Sequence, residues 1–291
     1  MNQKIRQLKF LTLTCSVIVL LASCSKKDST PVDPFDPSTS KKIINQSYGA
    51  GALQKADIYL PANRSATTKT MILIHGGFWS GGDKADMDTL IAPIQSEDPS
   101  LAIININYSL ADGTTANQHP AQMNDLNRLL NFVDSIGSSW HIGKTYAFTG
   151  VSSGAHLAML YAYGYDNTHR VKTIASVIGP TNLADPYYTS NTLFQQIIST
   201  YLGKTWTQDS ALHKSVSPAK IIKAGAPPTF MAYGGMDPLI PVSNPDSLKA
   251  KLIALGIPYS YNFYPSESHE MSATAIRDII TKMHVFFTTH L

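Results

Sequence analysis

The chain has 291 residues, 43% of them hydrophobic and 15% charged, with 23 Lys and Arg against 20 Asp and Glu. Lys4, Arg6 and Lys9 lie in a leader without acids, so the remainder holds 20 charges of each sign and gives no electrostatic basis for binding nucleic acid or anionic partners. The only cysteines, Cys15 and Cys24, exclude a disulfide framework, and no zinc-spaced Cys/His cluster or Gly-Lys-Ser/Thr phosphate loop occurs, so neither a metal nor an organic cofactor is expected.

Residues 1–23 join that basic start to the apolar run 10–21, too short for the roughly 20 residues of a membrane-spanning helix, and are predicted to be a secretion signal. Leu21-Ala22-Ser23-Cys24 resembles the lipobox of bacterial lipoproteins, which implies cleavage before Cys24 and lipidation of its thiol. Residues 24–40, rich in Ser, Thr, Pro, Asp and Lys, bury too little apolar surface to offset ordering entropy and are predicted to be a flexible tether. The expected location is the bacterial cell envelope, with membrane contact through the lipid alone. Ser25-Lys26-Lys27 lacks the aspartate associated with inner-membrane retention, which favours the outer membrane, periplasmic or surface-facing.

The remaining 41–291 suits one α/β domain. An antiparallel edge is predicted around 57–61, followed by buried-type apolar runs at 71–74, 101–106, 145–149, 171–178 and 229–233, with a further strand at 259–264. Helical patterns fall at about 85–97, 119–136, 153–164, 245–255 and 271–289. This alternation predicts a mostly parallel sheet flanked by helices. It stops between about 180 and 227, a partly helical, aromatic-rich insertion predicted to sit over the strand ends.

In a parallel sheet, ligands collect at the carboxyl ends of the strands. Four of those ends carry His75-Gly76-Gly77-Phe78-Trp79, Gly150-Val151-Ser152-Ser153-Gly154, Gly234-Gly235-Met236-Asp237 and Pro265-Ser266-Glu267-Ser268-His269. The second is a strand, a tight turn and a helix start, a setting that exposes a serine hydroxyl above the sheet. A serine is a weak nucleophile that needs a base within hydrogen-bond reach and a carboxylate to orient the base, roles available to His269 and Asp237. Asp246 and Glu267 are fallback acids, and His284 and His290 rival histidines. Oxyanion donors are expected from the amides of Gly77, Phe78 and Ser153. His75 is expected to pin its loop rather than move protons.

These motifs resemble the α/β-hydrolase superfamily, near its esterase/lipase group with a His-Gly-Gly loop, over about residues 43–290. Asn107-Tyr108-Ser109-Leu110-Ala111 is similar to the Asn-Tyr-Arg-Leu segment of that group, with Ser109 in place of the arginine, and Phe78 replaces a common third glycine. The second departure brings the chain nearer acetyl-esterase-like, feruloyl-esterase-like and formamidase-like members. The resemblance implies hydrolysis of carboxylic esters through an acyl-Ser152 intermediate, on a small ester or an acylated polysaccharide, with Trp79 and Tyr108 near the substrate. Hydrolysis of amides or peptides by the same three residues, and a noncatalytic surface-binding lipoprotein, are the alternatives. Oligomeric state is not legible.

Overall fold

The structure is a computed structural model and describes residues 33–291. The predicted signal, Cys24 and most of the predicted tether lie outside the described residues.

Eight strands form one sheet: β1 Lys41–Ser47, β2 Lys55–Leu60, β3 Thr70–Ile74, β4 Ala102–Ile106, β5 Tyr146–Val151, β6 Val171–Val177, β7 Thr229–Gly234 and β8 Tyr259–Tyr264. Their spatial order is β1-β2-β4-β3-β5-β6-β7-β8. β2 is antiparallel to both β1 and β4, and the other neighbours are parallel. β3, β4 and β7 are buried at every position, which is why they read as unbroken apolar runs rather than as alternating ones.

Alternate residues of each central strand serve opposite faces. Leu73, Ala147, Ala175 and Phe230 pack under α1 (Asp88–Glu97) and α9 (Ala273–His290). Ile72, Phe148, Ile174 and Met231 pack under α2 (Ala121–Ile136), α3 (Ser153–Gly164) and α8 (Ser243–Ala254). The sheet is therefore covered on both sides, and the carboxyl ends of β3, β5, β7 and β8 share one edge.

The 180–227 insertion folds as α4 (Pro186–Thr189), α5 (Thr192–Leu202), α6 (Ser210–Ser215) and α7 (Pro218–Ile221). Asn191 caps α5 by accepting from the amides of Leu193 and Phe194, and Gly203 ends it at φ 74°. Tyr201, Leu202 and Ile198 bury α5 into the larger core.

Two boundaries differ from the sequence reading. The folded unit starts at Phe35 rather than at 41. Phe35 sits 6.2 Å from Trp140, ring to ring, and Arg64 donates to the carbonyls of Phe35, Thr39 and Trp140. One aromatic with a prepared partner fixes a segment whose average composition predicts disorder. The second difference is β1, an unpredicted edge strand whose polar Lys, Asn and Gln residues hide its pairing with β2.

Candidate active site

Ser152 occupies the turn between β5 and α3 at φ 54° and ψ −124°, a conformation an L-residue holds only under constraint. The constraint is packing. A Cβ at position 154 would lie 2.1 Å from the carbonyl oxygen of Ile74, so only glycine lets α3 come this close to β3. The Ser152 amide donates to Val177 O at 2.9 Å, tying the turn to β6.

Ser152 Oγ stands 3.0 Å from His269 Nε2, and His269 Nδ1 stands 2.8 Å from Asp237 Oδ2. In the tautomer that satisfies both contacts, Nδ1–H donates to the carboxylate and the serine hydroxyl donates to Nε2. The Asp237 side chain is only 1% exposed, and its Oδ1 accepts from the amides of Leu239 and Ile240 at 2.7 and 3.0 Å. These bonds compensate burial of the charge. The loops bearing Asp237 and His269 are joined by main-chain bonds from Met236 N to Glu267 O and from Gly235 N to Tyr264 O. From the insertion, Tyr187 and Tyr188 hydroxyls donate to the carbonyls of Pro238 and Leu239, holding the acid loop from above.

The loop after β3 runs against the nucleophile, for a Cβ on Gly76 would meet Ser152 Cβ at 3.2 Å. Gly77, Phe78 and Trp79 take successive positive φ values of 115°, 54° and 62°. At position 77 a side chain would strike Gly81 O at 2.2 Å. Ser153 is the first residue of α3, so its amide has no partner within the helix. The three candidate oxyanion donors thus lie on the two segments that touch or adjoin Ser152.

His75 is fully buried, donates from Nδ1 to Gly76 O at 2.6 Å and stacks on Tyr108 with centroids 4.4 Å apart. Burial pushes its pKa below the usual histidine value. Tyr108 corrects the sequence reading: it is 0% exposed and donates to His75 O, so it positions the loop and does not reach a substrate. Trp79 is 4% exposed, stacked on Tyr201 and donating from its indole to His156 Nδ1 at 3.1 Å, so at most an edge of its ring faces a ligand. Phe78, at 39% exposure, is the open aromatic of this loop.

Sequence reasoning missed the supports beneath these groups. Asn107 accepts from Lys84 N and donates to Asp83, while Lys84 Nζ pairs with buried Asp57 at 2.9 Å, bracing the far end of the loop. His156, buried in α3, receives the Trp79 bond and donates from Nε2 to Val216 O at 2.8 Å, and burial drops its pKa to about 3. The fallback acids serve other ends: Glu267 accepts from the Ser272 amide and hydroxyl before α9, and Asp246 lies in the first turn of α8. His284 and His290 stay on α9. Among the described residues, no three His, Cys, Asp or Glu side chains gather to hold a metal.

Two recesses flank Ser152. A small one of about 30 Å³ lies under the insertion, lined by Phe78, Trp79, Tyr188 and Phe194. A larger cavity of about 490 Å³ opens beside His269 and Gly77 on the face covered by α1 and α9. Ser152 and Phe78 border both.

The BD-FAE family model matches residues 56–252. The chain is 26% identical over 186 residues to a kynurenine formamidase of Danio rerio, covering 62% of this chain and 57% of that protein. It is 25% identical over 263 residues to Esterase LipQ of Mycobacterium tuberculosis, covering 83% and 61%. The chain therefore spans less than two thirds of the length of these curated relatives. Among solved structures, a truncated carbohydrate esterase from gut microbiota superposes with a TM-score of 0.73 at 21% identity, covering 88% of this chain and 98% of that one. That likeness shows an α/β-hydrolase fold.

Proposed function

The chain belongs to the BD-FAE family, and from that premise we propose that it is a serine hydrolase of carboxylic esters, acting on small-acyl or carbohydrate-borne esters of the acetyl or feruloyl type. The observation that carries the reading is the unbroken chain of contacts from Ser152 Oγ through His269 to buried Asp237. The ester and carbohydrate part of it is supported by likeness to Esterase LipQ and to the gut carbohydrate esterase.

In this mechanism Ser152 Oγ attacks the ester carbonyl as His269 Nε2 takes its proton, and Asp237 holds the Nδ1–H and stabilises the imidazolium. The amides of Gly77, Phe78 and Ser153 receive the developing oxyanion. Collapse expels the alcohol, protonated by His269, and leaves acyl-Ser152. His269 then deprotonates a water that attacks the acyl carbon, and the acid departs with Ser152 reprotonated. Removing Ser152 is expected to lower hydrolysis of p-nitrophenyl acetate by about 10⁶-fold. Equal rates for the native and Ser152→Ala proteins, both folded, reject the enzyme and leave the noncatalytic binding protein. Likeness to the formamidase favours amide cleavage as a second reading. An aryl formamide cleaved faster than the matching acetate establishes it.

We further propose a lipid on Cys24 and residence at the outer membrane, supported by the Leu21-Ala22-Ser23-Cys24 sequence and by Ser25-Lys26-Lys27 after it. Cys24→Ala moves the protein out of the membrane fraction. Unchanged membrane association refutes the anchor.

A further inference from the structure

The larger cavity is lined mostly by apolar side chains. It follows the sheet face that presents Val151 and Thr149 of β5 and Val177 of β6, and is roofed by α1 and α9 through Leu90, Ile276 and Met283. From Ser152 to Thr149 it descends about 10 Å, at about 3.3 Å per strand residue, the reach of a chain of about eight carbons. The hydroxyl at that depth, on Thr149, is directed to the sulfur of Met283 at 3.8 Å. Sugar hydroxyls entering there would lose water and find few partners. Asp86 and Glu270, both exposed residues, also lie in its lining with Ser152 and His269. At about 30 Å³ per water-sized group, an acetyl leaves most of the 490 Å³ unfilled. Met87, Met271 and Met283 give walls that adapt to the shape of a flexible occupant.

We propose that this cavity binds an unbranched hydrocarbon limb of about six to ten carbons on the ester that Ser152 attacks, so that any sugar lies outside it. The inference rests on the ester-hydrolase reading; it is compatible with an acetyl ester where the limb is the alcohol, and replaces the acetyl or feruloyl part of that reading where the limb is the acyl group. The limb belongs either to the acyl group or to the alcohol, and two substrate series distinguish them: p-nitrophenyl octanoate against acetate, and octyl acetate against ethyl acetate. Each is measured with the native protein and with Leu90→Trp and Ile276→Trp, which fill the cavity from opposite helices at partly exposed positions. Circular dichroism identifies which of them is folded.

The native protein is expected to favour the eight-carbon member of one series at least tenfold in kcat/KM, and a folded Trp variant to lower that ratio at least tenfold. Ratios within twofold of each other in native and variant proteins, across both series, overturn the proposal. Binding of methyl octanoate and octyl acetate to Ser152→Ala, with and without Leu90→Trp, is measured by calorimetry and needs no turnover. Binding weakened tenfold by the Trp, where the folded native protein cleaves no ester of either series, keeps the cavity assignment and removes the hydrolase reading. Binding that is absent, or untouched by the Trp, removes the cavity assignment.

Discussion

Asp237 carries the sharpest expectation at the scale of single residues. In Asp237→Asn the side-chain oxygen can still accept from Leu239 and Ile240, so the loop holds, but an amide facing His269 Nδ1 demands the wrong imidazole tautomer. The kcat for p-nitrophenyl acetate is expected to fall about 10⁴-fold with an unchanged circular dichroism spectrum. A loss under tenfold contradicts the role given to Asp237. His156 governs a different property. Its folded pKa of about 3 lies below the unfolded value, so as pH falls under about 6.5 the unfolded chain binds the proton first and stability declines down to about pH 3. His119, lowered by burial to about 4, acts in the same direction. Between pH 6.5 and 5 the His156 contribution is about 2 kcal/mol. Urea unfolding is expected to show that decline, and a smaller one in His156→Gln. At this scale the meeting of Ser152, Asp237 and His269 is legible because each follows a strand of one parallel sheet. The misreading of Tyr108 has a physical source: proximity to the site in sequence says nothing about which way a ring turns, and this one turns into the core under His75.

Elements hold these residues through contacts that sequence patterns do not encode. Lys84 and Asp57 form a buried pair between the turn before α1 and β2, and Asn45 N also donates to Asp57. Lys84→Met leaves the Asp57 carboxylate with less compensation, an expected loss of about 3 kcal/mol in urea unfolding, part of which Asp57→Leu in the same chain restores. A Lys84→Met protein as stable as the native one removes the pair from the account of the loop. β3, β4 and β7 are legible because they are buried at every position and mostly apolar, and β5 and β6 because all but their margins are buried. β1 is not, because an edge strand with an irregular register between Ile43 and Gln46 carries no alternation to read. The glycines at 150 and 154 are legible as an elbow motif, and the contact of position 154 with Ile74 gives the reason only glycine serves.

For the whole molecule, the folded unit includes six residues assigned by composition to the tether. Deleting residues 1–40 removes Phe35 from Trp140 and strips Arg64 of two carbonyl partners, at an expected cost of about 2 kcal/mol, whereas deletion of 1–34 leaves these contacts intact. The shorter protein is expected to melt about 4–8 °C lower, and equal melting temperatures restore the boundary at 41. The large cavity was beyond sequence reading because its walls come from β5, β6, α1 and α9, segments that only the fold brings together. The central claim is that His269 and Asp237, from the ends of β8 and β7, converge on one reactive hydroxyl at Ser152. Treatment with a fluorophosphonate, followed by peptide mass mapping, tests it most directly: a single adduct is predicted on Ser152, absent in Ser152→Ala and formed at least about a hundredfold more slowly in His269→Ala. Labelling at another residue, or none at all on the folded native protein, contradicts it.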